Sequence, residues 1–203
     1  VKKAFRIKVK LDEKFKYLPS SPYSATKASA DHLVMAYIRT YKINAVISNC
    51  CNNYGPFQFP EKLIPKILYN IFNNKKLPIY SKGHNIREWI YVKDHCEALY
   101  KLFLKGKSGQ SYNVGSNINI RNIDLVKKLI ELCKKQKIRL GANSKISFIK
   151  DRPGHDFRYA LNSNKIKREV NWRNKTNINN GLIQTIKWYK NNKKFLKKIS
   201  SKI

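Results

Sequence analysis

This chain of 203 residues is poor in sulfur: it has one methionine, Met35, and four cysteines. Cys50, Cys51, Cys96 and Cys133 show neither zinc nor redox spacing, which argues against a zinc module or a dithiol site. Cys50 and Cys51 adjoin in an apolar, strand-like run and are expected as buried free thiols. The eight glycines nowhere fall into the Gly-x-x-Gly-x-x-Gly spacing of a dinucleotide loop. No apolar run reaches membrane-spanning length, and the N-terminus shows no apolar signal-peptide region. A cytoplasmic protein with no membrane partner is therefore expected. Acidic residues are scarce, 12 Asp and Glu against 43 Lys and Arg, for a formal net charge of +31.

Such a charge ordinarily points to a polyanion partner. Here Lys is spread along the whole chain, far outnumbers Arg, and is accompanied by abundant Asn and Ile. That trio is what an AT-rich genome over-produces, so no specific nucleic acid is expected. The excess charge would still attract anionic ligands, nucleotide sugars among them.

What the chain does have is material for a core, with 42% hydrophobic and 12% aromatic residues, enough for one large domain or two small ones. Ser21-Pro22 suits a helix entry. From Tyr23 to Tyr41 the apolar positions Ala30, Leu33, Val34, Tyr37 and Ile38 recur at helical spacing. Asn44 to Cys50 reads as a buried strand and Asn52-Asn53-Tyr54-Gly55-Pro56 as a sharp turn. A helix over Glu61 to Asn73 follows, then strands over Leu77 to Tyr80 and Arg87 to Val92. A helix over His95 to Leu104 and a strand over Ser111 to Val114 come next. Asn122 is expected to cap a helix running to about Lys135, and Lys145 to Ile149 is a strand. Asp151 to Asp156 is a charged loop, helices lie near Ser163–Val170 and Asn177–Asn191, and the basic tail from Lys193 is expected to fray. Alternating strands and helices argue α/β. The three tryptophans read as core or interface anchors, and His32, His84 and His95 as structural residues without metal spacing.

The sharpest chemical signal is Ser21-Pro22-Tyr23-Ser24-Ala25-Thr26-Lys27. Tyr23 and Lys27 stand four apart at a helix start, on one face and one turn from each other. An ammonium beside a phenol favours the phenolate, which makes a tyrosine usable as a base near neutral pH.

From Pro19 to about Asn192 the chain resembles the dTDP-glucose 4,6-dehydratases, extended short-chain dehydrogenase/reductases that use NAD. The matching blocks occur in the family's order: SPYSATKASADH (21–32), NNYGPFQFPEKLIP (52–65), LPIY (77–80), IREWIYVKDH (86–95), YNVG (112–115) and DRPGHD (151–156). The resemblance implies an α/β fold: the C-terminal part of a Rossmann domain, a doubly wound parallel sheet, plus a smaller α/β sugar-nucleotide-binding domain. Residues 1–55 would carry the Rossmann part, 56–192 mostly the substrate-binding part, and 193–203 a basic tail.

It also implies roles. Tyr23 would take a proton from the sugar 4-hydroxyl as hydride leaves carbon 4 for NAD, and Lys27 would hold the NAD ribose hydroxyls and lower the Tyr23 pKa. Asn52 would contact the substrate and Asn53 the nicotinamide end, since amides both donate and accept. Lys62 and Leu63 open a helix whose backbone N–H groups favour phosphate. Pro78 and Tyr80 would flank the thymine ring, and Arg87 would hold the diphosphate with its planar fork. Asn122 would contact diphosphate or sugar, with a plain helix cap as the alternative. Arg152 and His155 would clamp phosphate and nucleoside, with Asp151 orienting Arg152.

The resemblance also implies two motifs that these residues do not contain: the glycine-rich NAD loop and a Thr-Asp-Glu segment whose acid–base pair removes water across carbons 5 and 6. Asp12-Glu13 lies too near Tyr23 in sequence to be that pair. The expectation is the C-terminal portion of such an enzyme, from a truncated or frameshifted gene or a two-gene split. Alone it would bind NAD weakly and lack full dehydratase activity. The intact enzyme would be a homodimer paired through the Tyr23–Tyr41 helix and act on a dTDP-sugar. The competing expectations are a UDP-sugar dehydratase, epimerase or decarboxylase of the same superfamily, and a noncatalytic nucleotide- or polyanion-binding remnant.

Overall fold

The computed structural model of the chain describes residues 10–151, 154 and 156–200. The chain divides into two compact units. One takes Val1–Asn53, Ile86–Asn119 and Arg152–Lys175; the other takes Tyr54–Asn85, Ile120–Asp151 and Thr176–Ile203.

The first unit holds helix α1 (Pro22–Tyr41), strand β1 (Ile47–Cys50), strand β4 (Ile86–Tyr91), helix α3 (Val92–Lys105), strand β5 (Ser111–Val114), strand β8 (Arg158–Tyr159) and helix α5 (Asn164–Val170). β1 and β5 pair in parallel, Ile47 against Ser111 through Cys50 against Val114. β4 and β8 also pair in parallel, Ile86 against Arg158. Parallel pairs need apolar cover on their faces. Here it comes from a cluster of Cys51, Ile90, Leu102, Tyr112, Ile166 and Trp172 with their neighbours. The Trp172 indole N–H donates to the Asp94 carbonyl at 3.1 Å, so the buried ring keeps its polar edge satisfied.

The second unit holds helix α2 (Leu63–Phe72), strand β3 (Leu77–Tyr80), helix α4 (Asn122–Lys135), strand β7 (Ile146–Ile149), helix α6 (Ile178–Asn191) and helix α7 (Lys193–Ser200). β3 and β7 run parallel, with Leu77 opposite Ile146 and Tyr80 opposite Ile149. Ile64, Ile67, Leu68 and Ile71 bury one face of α2. Leu125, Val126 and Leu129 do the same for α4, and Leu182, Ile186 and Tyr189 for α6. The three helices touch one another around β3. Strands β2 (Asn52–Tyr54) and β6 (Asn119–Arg121) lie where the chain passes from one unit to the other.

The α/β class is borne out, and β3 and β5 occupy the predicted residues. Three local expectations differ. The expected turn over Asn52–Tyr54 is strand β2, with the bend displaced to Gly55 and to Phe57, whose φ is +63°. Asn122 is the first residue of α4; Arg121 is the N-cap, with no side-chain capping bond. The expected frayed tail forms α7 over Lys193–Ser200, because Leu196 is buried and Phe195 packs edge-on to Trp188 at 5.2 Å. Of the anchors, Trp89 and Trp172 are buried, while Trp188 is half-buried beside Phe57 at 4.5 Å. All four cysteines are free thiols; of the expected buried pair, Cys51 is buried with its pKa pushed up by burial, whereas Cys50 is only half-buried at the end of β1. Among the described residues no helix is long and apolar enough to cross a membrane.

Candidate active site

Helix α1 begins with a well-formed N-terminus. The Ser21 hydroxyl accepts a hydrogen bond from the Ser24 amide at 3.2 Å, and Pro22 occupies the first turn, where its missing N–H costs nothing. This start fixes Tyr23 and Lys27 one turn apart. The Lys27 ammonium lies 5.8 Å from the centroid of the Tyr23 ring, and Tyr23 is 72% exposed. Both line a cavity of about 340 Å³ within the first unit, together with Tyr17, Asp31, Asn49 and Asn113. A phenol and an ammonium side by side at an open cavity can hold or move a proton for a ligand seated there.

The segment before α1 is bound into this site. Leu11 bridges Leu161 in parallel. The Glu13 carboxylate accepts from the Asn113 amide at 2.9 Å, and Asn113 Nδ2 donates to the Leu11 carbonyl at 3.0 Å. Asp12 accepts from the Lys14 amide at 3.1 Å. Thus Asp12 and Glu13 sit at the cavity wall with backbone N–H partners. The Tyr17 hydroxyl donates to Asp31 at 2.7 Å, and its ring stands edge-on to His32 at 5.6 Å. Burial pushes the Tyr17 pKa up to about 12; the hydrogen bond and charge of Asp31 add to that, and a bond with Asn49 opposes it.

The other expected site residues divide by unit. In the first, the Arg87 guanidinium is buried and donates to the carbonyls of Asp156 at 2.5 Å, Ile86 at 2.8 Å and Phe157 at 3.3 Å. Its fork therefore anchors the chain entering β8. Asn52 and Asn53 are half-buried on β2, and Asn53 Nδ2 donates to Cys50 Sγ at 3.3 Å and the Cys51 carbonyl at 3.4 Å. Arg152 and His155 lie outside the described residues.

In the second unit, Lys62 is the N-cap of α2 and ion-pairs with Glu61 at 2.6 Å, while Leu63 opens the helix. Pro78 and Tyr80 alternate on β3 and so point to the same side, and Tyr80 is 43% exposed. Asn122 is buried at the first residue of α4; its amide N–H donates to the Asn85 carbonyl at 3.0 Å, and its Oδ1 has no partner among the described residues. Asp151 is half-buried at the end of this unit's second segment.

Sequence reasoning missed Glu88. It is fully buried on β4, with Oε1 accepting from the Asn117 amide and Oε2 from the Leu161 amide, each at 2.7 Å. A lone acidic residue inside an apolar strand was the available signal. It missed Tyr17 and Asp31 too, because no local spacing marks a phenol that reaches a carboxylate 14 residues away.

Residues 6–185 match the family model described as GDP-mannose 4,6 dehydratase. The chain belongs to that family. Among its relatives, the dTDP-glucose 4,6-dehydratase of Escherichia coli is 46% identical over 189 residues, covering 91% of this chain and 52% of the relative. A probable dTDP-glucose 4,6-dehydratase of Sinorhizobium fredii is 47% identical over 181 residues, covering 87% and 51%. The chain thus spans about half the length of the curated relatives it matches. The fold is similar to that of DesIV, the dTDP-glucose 4,6-dehydratase of Streptomyces venezuelae, solved with NAD bound. That match has a TM-score of 0.89 and 35% identity, and covers 95% of this chain and 58% of the other. A dTDP-glucose 4,6-dehydratase of Bacillus anthracis in complex with NAD matches with a TM-score of 0.86 and 39% identity, covering 94% and 59%.

Proposed function

We propose that this chain supplies the tyrosine–lysine pair and the nucleotide-sugar site of an NAD-dependent dTDP-glucose 4,6-dehydratase. The observation that carries the reading is the Tyr23–Lys27 pair. Its two side chains stand together at an open cavity, on a helix start within the stretch shared with dehydratases of 46% identity. Family membership alone does not say that chemistry happens here; an exposed phenol with an ammonium beside it does bear on that.

The residues present suit NAD at its ribose end. Lys27 is exposed and ends in three N–H donors at the cavity that Tyr23 also lines. When bound, NAD would accept hydride from the sugar's carbon 4 and later return it to carbon 6. Tyr23, an exposed phenol at the cavity, takes the proton of the 4-hydroxyl. Lys27 holds the ribose hydroxyls, and Asn53 stands near the nicotinamide end. Asn52 binds the sugar and Asn122 the diphosphate, Lys62 and Leu63 add the polar start of α2, and Arg87, whose fork is engaged by three backbone carbonyls, serves by holding the chain that enters β8. Asn122 brings a buried amide oxygen that still lacks a donor, which a sugar hydroxyl satisfies. Pro78 and Tyr80 flank the thymine, and Arg152, His155 and Asp151 complete the clamp. Once water is lost across carbons 5 and 6, a step for which these residues hold no acid–base pair, hydride return would give a dTDP-4-keto-6-deoxy sugar, made in the cytoplasm.

The proposed assembly is a homodimer through α1. Leu33, Val34, Tyr37 and Tyr41 are exposed on that helix, at 61, 37, 54 and 67%, which is ample apolar surface for a partner.

Calorimetric titration of the 203-residue chain with dTDP and with UDP tests the substrate class. Saturable dTDP binding at least tenfold tighter than UDP is expected. Equal affinities would move the reading to another sugar nucleotide, and binding that ignores the base and collapses with salt would leave only charge attraction. Sedimentation of the wild type against Leu33→Asp tests the dimer: the variant is expected as monomer, and an unchanged sedimentation coefficient refutes this interface.

A further inference from the structure

The second unit carries a basic cavity that no role above uses. It measures about 550 Å³ and is lined by Lys82, His84, Arg121 and Lys127 around the apolar Ile146 and Phe148. That volume suits a small ligand. Ile146 pairs with Leu77 and Phe148 with Ile79, so both point from the face of the β3–β7 ribbon that carries Leu77 and Ile79. Pro78 and Tyr80 point from the opposite face, so the cavity is separate from the thymine contacts proposed above. Its rim is held in place. The Ser81 amide donates to the Ile149 carbonyl at 2.8 Å, and the Gly83 carbonyl accepts from the Ile123 amide at 3.0 Å. Gly83 has φ +72°, and a Cβ there would stand 2.9 Å from the Ile123 Cβ. Only glycine lets this turn lie so close to α4, and Lys82 and His84 flank it. Among the described residues Asp124 supplies the one carboxylate of the lining. It accepts from Arg121 Nε at 2.5 Å and Nη2 at 3.2 Å, which orients the guanidinium. The Lys82, His84 and Lys127 side chains have no hydrogen-bond or ion-pair partner among the described residues. Phe148 is 58% exposed beside them.

We infer that this cavity is a second nucleotide site, which takes a nucleoside phosphate. Unused N–H donors on cationic side chains suit phosphate oxygens, and an exposed ring beside them suits a stacked base. The phosphates lie among Lys82, His84, Arg121 and Lys127, and the base lies on Phe148. Three permanent cations against one carboxylate leave the excess of positive charge that a phosphate requires. A nucleic-acid strand would need further rings in line, and among the described residues Phe148 is the one aromatic side chain of the lining. The inference does not depend on the dehydratase reading, which puts its nucleotide on the other face of the ribbon.

Titration of the 203-residue chain with ADP and with inorganic pyrophosphate tests this, followed at the Gly83 and Ile123 amides in proton–nitrogen NMR correlation spectra. Saturable shifts are expected with both. Phe148→Ala should weaken ADP at least about fivefold and leave pyrophosphate unchanged. Lys127→Ala should weaken both about threefold. Lys134→Ala removes the same charge from α4 outside the cavity and should bind both as wild type does. These three side chains are exposed, so the fold tolerates their loss. No saturable response at the two amides overturns the site. So does Lys134→Ala weakening binding as much as Lys127→Ala, which would leave only diffuse charge attraction. ADP binding unchanged in Phe148→Ala overturns the nucleoside part, as does Tyr80→Ala weakening ADP while Phe148→Ala does not. Oligothymidylate binding more than about tenfold tighter than ADP would replace the mononucleotide by a strand. The preference for dTDP over UDP decides the dehydratase reading separately, and these variants decide the cavity.

Discussion

Replacing Tyr17 by Phe removes one oxygen and keeps the ring. The lost bond is the 2.7 Å contact to Asp31, which ties the 10–18 segment to the third turn of α1. A hydrogen bond to a charged acceptor is worth about 1.5–3 kcal/mol when shielded. The raised pKa sets a ceiling of its own: a rise from 10.0 to about 12 corresponds to about 2.7 kcal/mol at about 1.36 kcal/mol per unit. Tyr17 is 45% exposed, however, and solvent screening brings the expected loss down to about 1 kcal/mol. Because the folded-state pKa is raised, this stabilisation is fully present below pH 10 and is lost as pH rises through about 12. Urea unfolding of wild type and Tyr17→Phe should therefore differ by about 1 kcal/mol near neutral pH and converge as the pH approaches about 11.5. Asp31→Asn retains an acceptor but removes the charge, and should show a smaller loss. A difference that stays constant from about pH 8 to about pH 11.5 would refute the raised titration of Tyr17, and no difference near neutrality would refute the contribution of its bond to Asp31.

Two further substitutions probe the framework. Glu88→Gln leaves an amide NH₂ facing one of two buried backbone N–H groups, and should lower stability by about 2–3 kcal/mol in the same urea assay; a loss under about 0.5 kcal/mol would show that water reaches the site. Gly181→Ala would set a Cβ 2.2 Å from the Tyr54 hydroxyl oxygen, so about 1–3 kcal/mol of overpacking is expected, and an unchanged midpoint would mean that the buried ring is free to shift.

Legibility from sequence followed how local the cause was. β3 and β5 could be read to the residue because turn-forming residues bracket short β-prone runs, as Gly106 to Gly109 and Gly115 do for β5. β2 was hidden because Asn-Asn-Tyr-Gly-Pro has the composition of a turn, yet partner strands make it extended. β8 is two residues long and exists only through its pairing with β4. The apolar period of α1 was plain, but period alone does not say which way a face points; Ala30, Leu33, Val34 and Tyr37 lie exposed, whereas Ala28, Asp31, Met35 and Ile38 are half-buried. In the site, the Tyr23–Lys27 pair was legible because one helical turn produces it. The Tyr17–Asp31 and Glu88 contacts were not, since they join segments that only the tertiary fold brings together.

The interleaving of the two units has a consequence for how the chain is born. The first unit's core includes Ile166, Val170 and Trp172, and its final segment follows two of the three segments of the second unit. On the ribosome neither unit can finish before nearly all of the chain has emerged. Vectorial, one-domain-at-a-time folding is closed to this protein. Strand β5 must wait for α5 to pack on it, and any stall in synthesis before Trp172 leaves Ile90, Tyr112 and Val114 without the Ile166, Val170 and Trp172 side chains of their cluster.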